Sequence, residues 1–292
     1  MLSFSQKKGL KPIKSVLQTD SMDLDLRTAL WNVLGIYYWD RFGRGFSSAF
    51  RSQESEEAIA LCKTLWMWHF KLPVDLMRND WIAVYKEIRT HFFAYSWNEV
   101  YDFIQFVAAN FKLEYPNEHL NNAFIVACNG ILKQELSTYR IVGEEIVQIT
   151  SDEEIAEIED VLRMTKNSPV QEHINTSLKH LSSRNNPDYR NSIKESISAV
   201  ESISAIVSNK PNASLGDALK TLEPKIKLHP SLKIAFEKLY GYTSNADGIR
   251  HALLDEANLD FEDAKFMLVA CSAFINYLIS KSVKAGIKIK LS

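Results

Sequence analysis

The sequence predicts a mainly all-α protein of two helical domains with a short β-hairpin near their junction. Apolar residues recur at helical spacing in both halves; in the segment 21–42, for example, Leu26, Leu30 and Leu34 share one helix face. All six tryptophans lie in the first hundred residues and none in the second half, which favours two separate cores. With 292 residues, 46% of them hydrophobic, the chain is long enough to form both.

The most β-rich stretch lies near the middle of the chain. Residues 138–150, TYRIVGEEIVQIT, place two β-rich runs around a central Gly-Glu pair, which is the pattern of a short hairpin. A helix start follows, because Ser151 and Glu154 have the spacing of a capping box. We therefore expect a tryptophan-rich N-terminal helical domain over 1–152 and a second helical domain over 153–292.

The aromatic residues of the first half recur at helical spacing, which is typical of a hydrophobic core. An open apolar groove that docks a partner is the alternative, and spacing does not distinguish the two. His69 and His91 lie among these residues and are expected to be core or rim histidines. The three cysteines, Cys62, Cys128 and Cys271, are odd in number and widely spaced, which predicts buried free thiols.

Charge and motif content argue against several classes of protein. The formal net charge is only -2, so any RNA contact needs a local basic patch. The sequence contains no P-loop, HExxH pair or GxSxG elbow, and we expect no metal and no cofactor. The start does not resemble a signal peptide and the apolar run 266–279 is short for a bilayer span, so we expect a cytoplasmic protein without a membrane contact.

Arg250 and His251 form the most distinctive local pattern. Turn-forming residues, including Ser244 and Asp247, precede them and a helical segment follows, so both lie near a helix start. Free N–H groups and the helix dipole favour an anion there, and a guanidinium can clamp a phosphate. The dipole also favours neutral imidazole, which can take the proton of a ribose 2′-hydroxyl. The alternative is an ordinary helix start, with Arg250 bonded to Asp247 or Asp255.

Two further pairs of residues are candidates for ligand binding. Arg190 and Lys194 lie one helical turn apart, opposite an apolar stripe, and can form a basic ledge for an RNA backbone; a solvated helix face is the alternative. His173 and His180 lie one heptad apart on the preceding predicted helix. They can form a pair on one face, but simple surface positions without a function are the favoured interpretation.

The second half resembles a HEPN domain of the AbiJ-like abortive-infection proteins of bacteria. The resemblance rests on NPDYRNSIKESISAVESI (186–203), FEKLYGYTSNADGIRHAL (236–253) and DFEDAKFMLVACSAFINYLI (260–279). The first half is similar to N-terminal domains that precede such HEPN domains, through FSQKKGLKPIKSVLQTDSMDLDLRTALWNVL (4–34) and ILKQELSTYRIVGEEIVQITSDEEI (131–155).

The resemblance implies a C-terminal bundle of four or five helices that forms a homodimer. It also implies a metal-independent endoribonuclease that acts as a toxin in phage defence, with RNA such as tRNA as substrate and a phage-derived trigger at the N-terminal domain. In the family motif an arginine and a polar residue precede a histidine several positions later. On this chain Arg250 is the arginine and His251 the polar residue, but no histidine follows. A non-catalytic module that binds RNA, a nucleotide or a protein therefore stands as the alternative.

Overall fold

A computed structural model describes residues 4–8, 10, 16–42, 53–111, 119–182, 187–211, 215–244 and 259–289. Within these ranges the chain is mainly α-helical with a two-stranded hairpin, which confirms the predicted fold class. The chain divides into two units, residues 1–146 (unit 1) and 147–292 (unit 2).

Unit 1 is built from helices of 11–16 residues that follow a short first turn. They are α1 (Phe4–Lys7), α2 (Leu24–Leu34), α3 (Gln53–Thr64), α4 (Trp81–Ala94), α5 (Trp97–Asn110) and α6 (His119–Gln134). Helices α2 and α3 each continue into a π-helical segment, Gly35–Trp39 and Leu65–Phe70. A 3-10 turn covers Val74–Leu76.

The core of unit 1 is aromatic, as the spacing of these residues predicts. Trp39 is 2% exposed, and its ring centroid lies within 6.5 Å of those of Trp31, Tyr38, Phe42, Trp81, Phe103 and Phe111. Trp31 and Trp66 are also buried, whereas Trp68 is 60% exposed. The core interpretation is therefore confirmed for three tryptophans and does not hold for Trp68.

Arg27 of α2 caps the carboxyl end of α4. Its Nη1 atom donates hydrogen bonds to the carbonyl oxygens of Phe92, Phe93 and Tyr95 at 3.1, 3.3 and 2.6 Å. Carbonyl groups at a helix end have no partners within the helix, and a cation there also complements the helix dipole. Arg27 therefore joins two helices that are far apart in the sequence.

The predicted hairpin is confirmed. Strand β1 covers Arg140–Val142, strand β2 covers Glu145–Val147, and the two form a two-stranded sheet. Gly143 has a φ of 62° in the connecting turn, a conformation that costs glycine little.

Amide side chains of two helices hold this hairpin in place. Asn129 of α6 accepts a hydrogen bond from the Ile141 N–H and donates one to the Ile141 carbonyl oxygen, both at 2.8 Å. Gln105 of α5 accepts from the Ile146 N–H at 3.0 Å and donates to the Glu145 carboxylate at 2.9 Å. Asn129 thus satisfies both backbone groups of Ile141, as a neighbouring strand would, and Gln105 satisfies the N–H of Ile146.

Unit 2 continues with α7 (Asp152–Met164), α8 (Pro169–Ser182), α9 (Tyr189–Ser208), α10 (Leu215–Ile226), α11 (Pro230–Ser244) and α12 (Phe261–Lys284). Helix α9 packs against α8, α10 and α12, and α12 also packs against α7 and α8. Helices α7, α8, α9 and α12 thus form the bundle expected for the second half, with α10 and α11 added to it.

The first turn of α7 differs in one respect from the capping box that the sequence predicts. Ser151 Oγ accepts a hydrogen bond from the Glu154 N–H at 3.2 Å, so the helix has its N-cap. Glu154 forms an ion pair with Lys265 of α12 at 3.3 Å and does not complete the capping box. Asn276 of α12 also bonds to the carbonyl oxygen and carboxylate of Glu157 at 2.9 and 2.6 Å.

Helix α12 is a core helix of unit 2. In the described part of the chain, this helix meets the length and hydrophobicity expected of a membrane span. Half of its most apolar 18-residue segment is buried within the protein, as in the core helix of a soluble domain. Phe274 is fully buried and stacks on Phe236 of α11, with ring centroids 3.4 Å apart and planes 15° apart. The described side chains of α11, residues 230–241, are all exposed or half-buried.

Candidate functional site

The structure describes only part of the RNA-directed site that the sequence predicts. Asp247, Arg250 and His251 lie outside the described residues. Ser244 is the last residue of α11, so α11 leads directly into the segment that carries them.

Arg190 and Lys194 lie in the first two turns of α9. Arg190 is half-buried and Lys194 is exposed. Asp188 caps this helix: its carboxylate accepts hydrogen bonds from the Asn191 N–H at 2.9 Å and from the Asn191 Nδ2 at 2.6 Å. The predicted basic ledge therefore has an acidic group at its start, which offsets part of its positive charge.

The pKa of Asp188 reflects both its burial and its neighbours. Burial acts to raise the pKa of Asp188, but the hydrogen bonds from Asn191 and the charges of His180 and Arg190 act in the opposite direction and lower it overall. Asp188 therefore connects the end of α8, which carries His180, to the start of α9, which carries Arg190.

The start of α9 lies beside the start of α12. The ring of Tyr189 contacts that of Phe261, with centroids 6.5 Å apart. Burial and the carboxylates of Glu262 and Asp260 raise the pKa of Tyr189. Arg190, next to Tyr189 in the sequence, thus lies near the start of α12, the helix that follows Arg250 and His251 in the sequence.

His173 and His180 lie along the edge between α8 and α9. These helices run in opposite directions, with the His180 carbonyl oxygen accepting from the Asp188 N–H at 3.2 Å and His173 Nδ1 lying 2.7 Å from a Glu195 carboxylate oxygen. The side chains of His173 and Glu195 are 33% and 19% exposed. His173 is therefore not a simple surface position, because its imidazole meets the Glu195 carboxylate. The described contact of His180 with α9 is through its carbonyl oxygen.

Buried serines bring these two helices close together. Ser177 Oγ lies 3.0 Å from Ser192 Oγ and 2.8 Å from Ser196 Oγ, and it donates to the Ser192 carbonyl oxygen at 2.8 Å. Small side chains at this contact let the longer histidine and carboxylate side chains meet at its edge. Ser192 and Ser196 are one helical turn apart in the sequence, which is the signal that could have indicated this contact.

The cysteines are buried free thiols, as predicted for Cys62, Cys128 and Cys271. Burial raises the pKa of all three, so each thiol is protonated at neutral pH. Among the residues that the structure describes, no group of three or more His, Cys, Asp or Glu side chains is arranged to hold a metal ion.

His69 and His91 are rim histidines of unit 1, as expected. The half-buried His69 ring lies 5.2–5.8 Å from the rings of Phe70, Tyr95, Phe103 and Phe106, and His91 stacks on Phe70 at 4.4 Å. Burial, with the charge of His91 as the next cause, lowers the pKa of His69 to about 4. His69 is therefore neutral at pH 7.

We expect His69 to make the protein less stable as the pH falls from about 6.5 to about 4. In this window the unfolded chain binds a proton that the folded chain excludes, so the free energy of unfolding decreases on acidification, by about 1–2 kcal/mol because solvent partly screens the half-buried ring. Urea unfolding at pH 7 and pH 4.5 should show a smaller pH effect for His69→Gln than for the unchanged protein. An equal effect would contradict this, and exposed His119→Gln is the control.

The described fold is that of a helical protein with an aromatic-cored first unit and a second unit built on a helix bundle. The chain belongs to the AbiJ N-terminal domain 4 family, whose model matches residues 2–163. This match covers unit 1, the hairpin and nearly all of α7, and it places the chain with the AbiJ-like abortive-infection proteins. No curated protein and no solved structure matches the chain. The match ends before α8, so the HEPN resemblance of the second half stays a prediction.

Proposed function

We propose that the protein is an abortive-infection effector that acts on RNA through its second unit, as a metal-independent endoribonuclease of the HEPN type. The observation that carries the proposal is the family match over residues 2–163. Because this match assigns the first part of the chain to an AbiJ N-terminal domain, the helical unit that follows is left to provide the effector activity. The HEPN resemblance of that unit supplies the reaction.

The proposed site combines the segment after α11 with the start of α9. His251 accepts the proton of a ribose 2′-hydroxyl, and Arg250 stabilises the charge that develops on the attacked phosphate. Ser244 and Asp247 lie on the approach to this pair in the sequence and contact the RNA. The arginine and lysine at the start of α9, Arg190 and Lys194, contact the phosphate backbone.

The proposal includes two partners besides RNA, of which tRNA is one candidate. Two copies of unit 2 form a homodimer, so that both Arg250–His251 pairs contribute to one cleft. A phage-derived trigger binds unit 1, where Trp68 is an exposed aromatic side chain. The protein works in the cytoplasm, without a membrane contact.

A non-catalytic module that binds RNA, a nucleotide or a protein is the second candidate function. One observation favours it: no histidine follows His251 in the sequence, whereas the family motif places one several residues later. Under this alternative the purified protein retards RNA on a gel and leaves it intact.

The test compares Arg250→Ala and His251→Ala with the unchanged full-length protein. We expect the unchanged protein to arrest growth on overexpression and to cleave RNA in the presence of EDTA. Each variant should lower the cleavage rate by about 100-fold or more, because each removes a group that acts in the transition state. The matched controls are Arg163→Ala, an exposed arginine of α7, and His119→Ala, an exposed histidine of α6.

Three results contradict parts of the proposal. Cleavage that both variants retain would show that Arg250 and His251 are the wrong residues. RNA binding without cleavage by the unchanged protein would favour the non-catalytic module. A protein that neither binds nor cleaves RNA would exclude an RNA-directed function.

A further inference from the structure

We propose that Trp68 and Lys71 form a stacking platform on unit 1 for the bases of a single-stranded nucleic acid. The inference deepens the proposed function and rests on it in one respect, since it makes such a strand the trigger that binds unit 1. Binding at the platform itself involves neither Arg250 nor His251. The platform combines an exposed ring, a cation beside that ring and a well-packed segment that holds both.

Trp68 presents its ring to solvent from a segment that is otherwise packed against the core. The Trp68 side chain is 60% exposed, whereas that of Trp66, two residues earlier, is 3% exposed. His69, the next residue, places its ring 5.2 Å from the rings of Phe103 and Phe106. The neighbours of Trp68 therefore hold its backbone in place, and the ring can meet a ligand without prior rearrangement.

Lys71 places a positive charge beside this ring. Its Nζ atom lies 5.4 Å from the centroid of the Trp68 ring. Lys71 ends the π-helical segment in a left-handed conformation, with a φ of 56°, and its N–H donates to the Trp66 carbonyl oxygen. Glycine is the usual residue at such a helix end, because a side chain is strained there. A lysine at this position supplies a cation to Trp68 that glycine would not.

The charge of Lys71 is available to an anion. Its side chain is exposed and, within the ranges given for the fold, forms no ion pair. The stretch 63–74 contains a second exposed lysine, Lys63, and no acidic residue. Glu99, close enough to influence the pKa of His69, already accepts hydrogen bonds from the N–H and the hydroxyl of Ser96 at 2.7 and 2.6 Å. The charge at the platform thus complements a phosphate.

The small size of the exposed surface favours a nucleic acid strand over a protein partner. In the stretch 64–71 the exposed apolar side chains are those of Met67 and Trp68. A protein interface usually covers about 800 Å² on each partner around an apolar centre. A base needs only one ring face, and proteins that bind single strands combine aromatic rings with cations in this way. The strand stacks a base on Trp68 and sets a flanking phosphate against Lys71.

The experiment titrates full-length protein into fluorescently labelled oligo(dT) strands of about 20 nucleotides and follows binding by fluorescence anisotropy. Oligo(dT) lacks the 2′-hydroxyl that the proposed cleavage requires, so binding is measured without a reaction. A duplex of the same length and free mononucleotides are the comparison ligands. We expect the single strand to bind more tightly than either, because its bases are open to stacking and its phosphates are continuous.

The ring is tested with Trp68→Ala, which should lower the affinity for oligo(dT) about 10-fold or more through the loss of one stacked base. Trp68→Phe keeps a smaller ring and should lose less. Ile82→Ala is the control, since Ile82 is 79% exposed in the same unit and its loss should leave the affinity unchanged.

The cation is tested with Lys71→Gly, which leaves a residue suited to the left-handed backbone, so that the Tm should not fall. The slope of log K against log salt should become less negative by about 0.7, the contribution of one phosphate contact to a single strand. Lys227→Gly is the matched control: this exposed lysine of unit 2 also has a positive φ, 50°, and its loss should leave the slope unchanged.

Cross-linking locates the bound strand. An oligonucleotide with a photoreactive thymine analogue is irradiated in complex with the protein, which is then digested with trypsin. Trypsin cuts after Lys63 and Lys71, so the platform lies on one peptide, residues 64–71. The cross-link should map to this peptide.

The role of the strand as trigger is tested on cleavage of bacterial tRNA in EDTA. Added oligo(dT) should raise the cleavage rate of the unchanged protein several-fold, because a ligand that binds one state more tightly shifts the population towards it. The rate of Trp68→Ala should not respond.

The outcomes separate this inference from the proposed function. Oligo(dT) binding that Trp68→Ala and Lys71→Gly leave unchanged, cross-links confined to unit 2, or no binding at all would overturn the platform and leave RNA cleavage by unit 2 intact. Binding at 64–71 without a change in tRNA cleavage would overturn the role as trigger. A protein that binds oligo(dT) at 64–71 but never cleaves RNA would refute the proposed reaction and support the platform.

Discussion

Replacing Trp39 with alanine is expected to lower the free energy of unfolding by about 3–5 kcal/mol, a loss large enough to unfold many small domains. Trp39 is 2% exposed and its ring contacts six other aromatic rings, so truncation leaves a cavity between helices that cannot close without moving those rings. Urea unfolding followed by near-UV circular dichroism measures the loss.

Two other substitutions test whether burial is the cause. Trp68→Ala removes a side chain of the same size that is 60% exposed, and the expected loss is below ~1 kcal/mol. Trp39→Phe keeps an aromatic ring and removes an Nε1–H that has no hydrogen-bond partner among the described residues, so its cost should be clearly smaller than that of alanine. Equal losses for Trp39→Ala and Trp68→Ala would be incompatible with this description of the core.

The second large effect is expected for Phe274→Ala in unit 2, again about 3–5 kcal/mol. Phe274 is fully buried on α12 and also forms the ring stack with Phe236 of α11. Its removal leaves a cavity in the bundle and weakens the attachment of α11. Hydrogen exchange should show faster exchange along α11 than the change in global stability accounts for.

Phe266 of the same helix is the matched control. It is 59% exposed, so Phe266→Ala removes the same atoms from a site that water already reaches. A loss below ~1 kcal/mol is expected, together with unchanged exchange in α11. If both phenylalanine variants lose the same stability, the face of α12 assigned to the core is wrong.

Local features of this fold could be predicted from the sequence because their causes are local. Alternating β-rich runs around Gly143 define the hairpin, and the residues before α7 define its N-cap at Ser151. The prediction failed where a distant residue competes: Glu154 has the spacing of a capping box, but Lys265, 111 residues away, takes its carboxylate. A pattern within one helix cannot include a partner supplied by another.

In the candidate site, too, the sequence predicts features within one helix and misses contacts between helices. Helical spacing indicates that His173 and His180 share one face of α8, but the carboxylate that His173 meets, Glu195, depends on the register between α8 and α9. That register follows from the serine contact between the helices, and a single sequence does not state which face of α9 meets α8. Arg250 and His251 lie outside the described residues, so their role still rests on the resemblance.

The weak attachment of α11 has a consequence for control of the protein. Among its described side chains none is buried, and its clearest link to the bundle is the stack of Phe236 on Phe274. An aromatic stack contributes about 0.5–1.5 kcal/mol beyond the area it buries, a small part of a domain's stability. The Lys233–Glu223 ion pair with α10, at 2.9 Å, is a further link. A ligand that binds α11 more tightly when it is released from the bundle would shift α11 towards that state by no more than this difference in affinity. Because α11 ends at Ser244, such a ligand would bind close in sequence to Arg250 and His251.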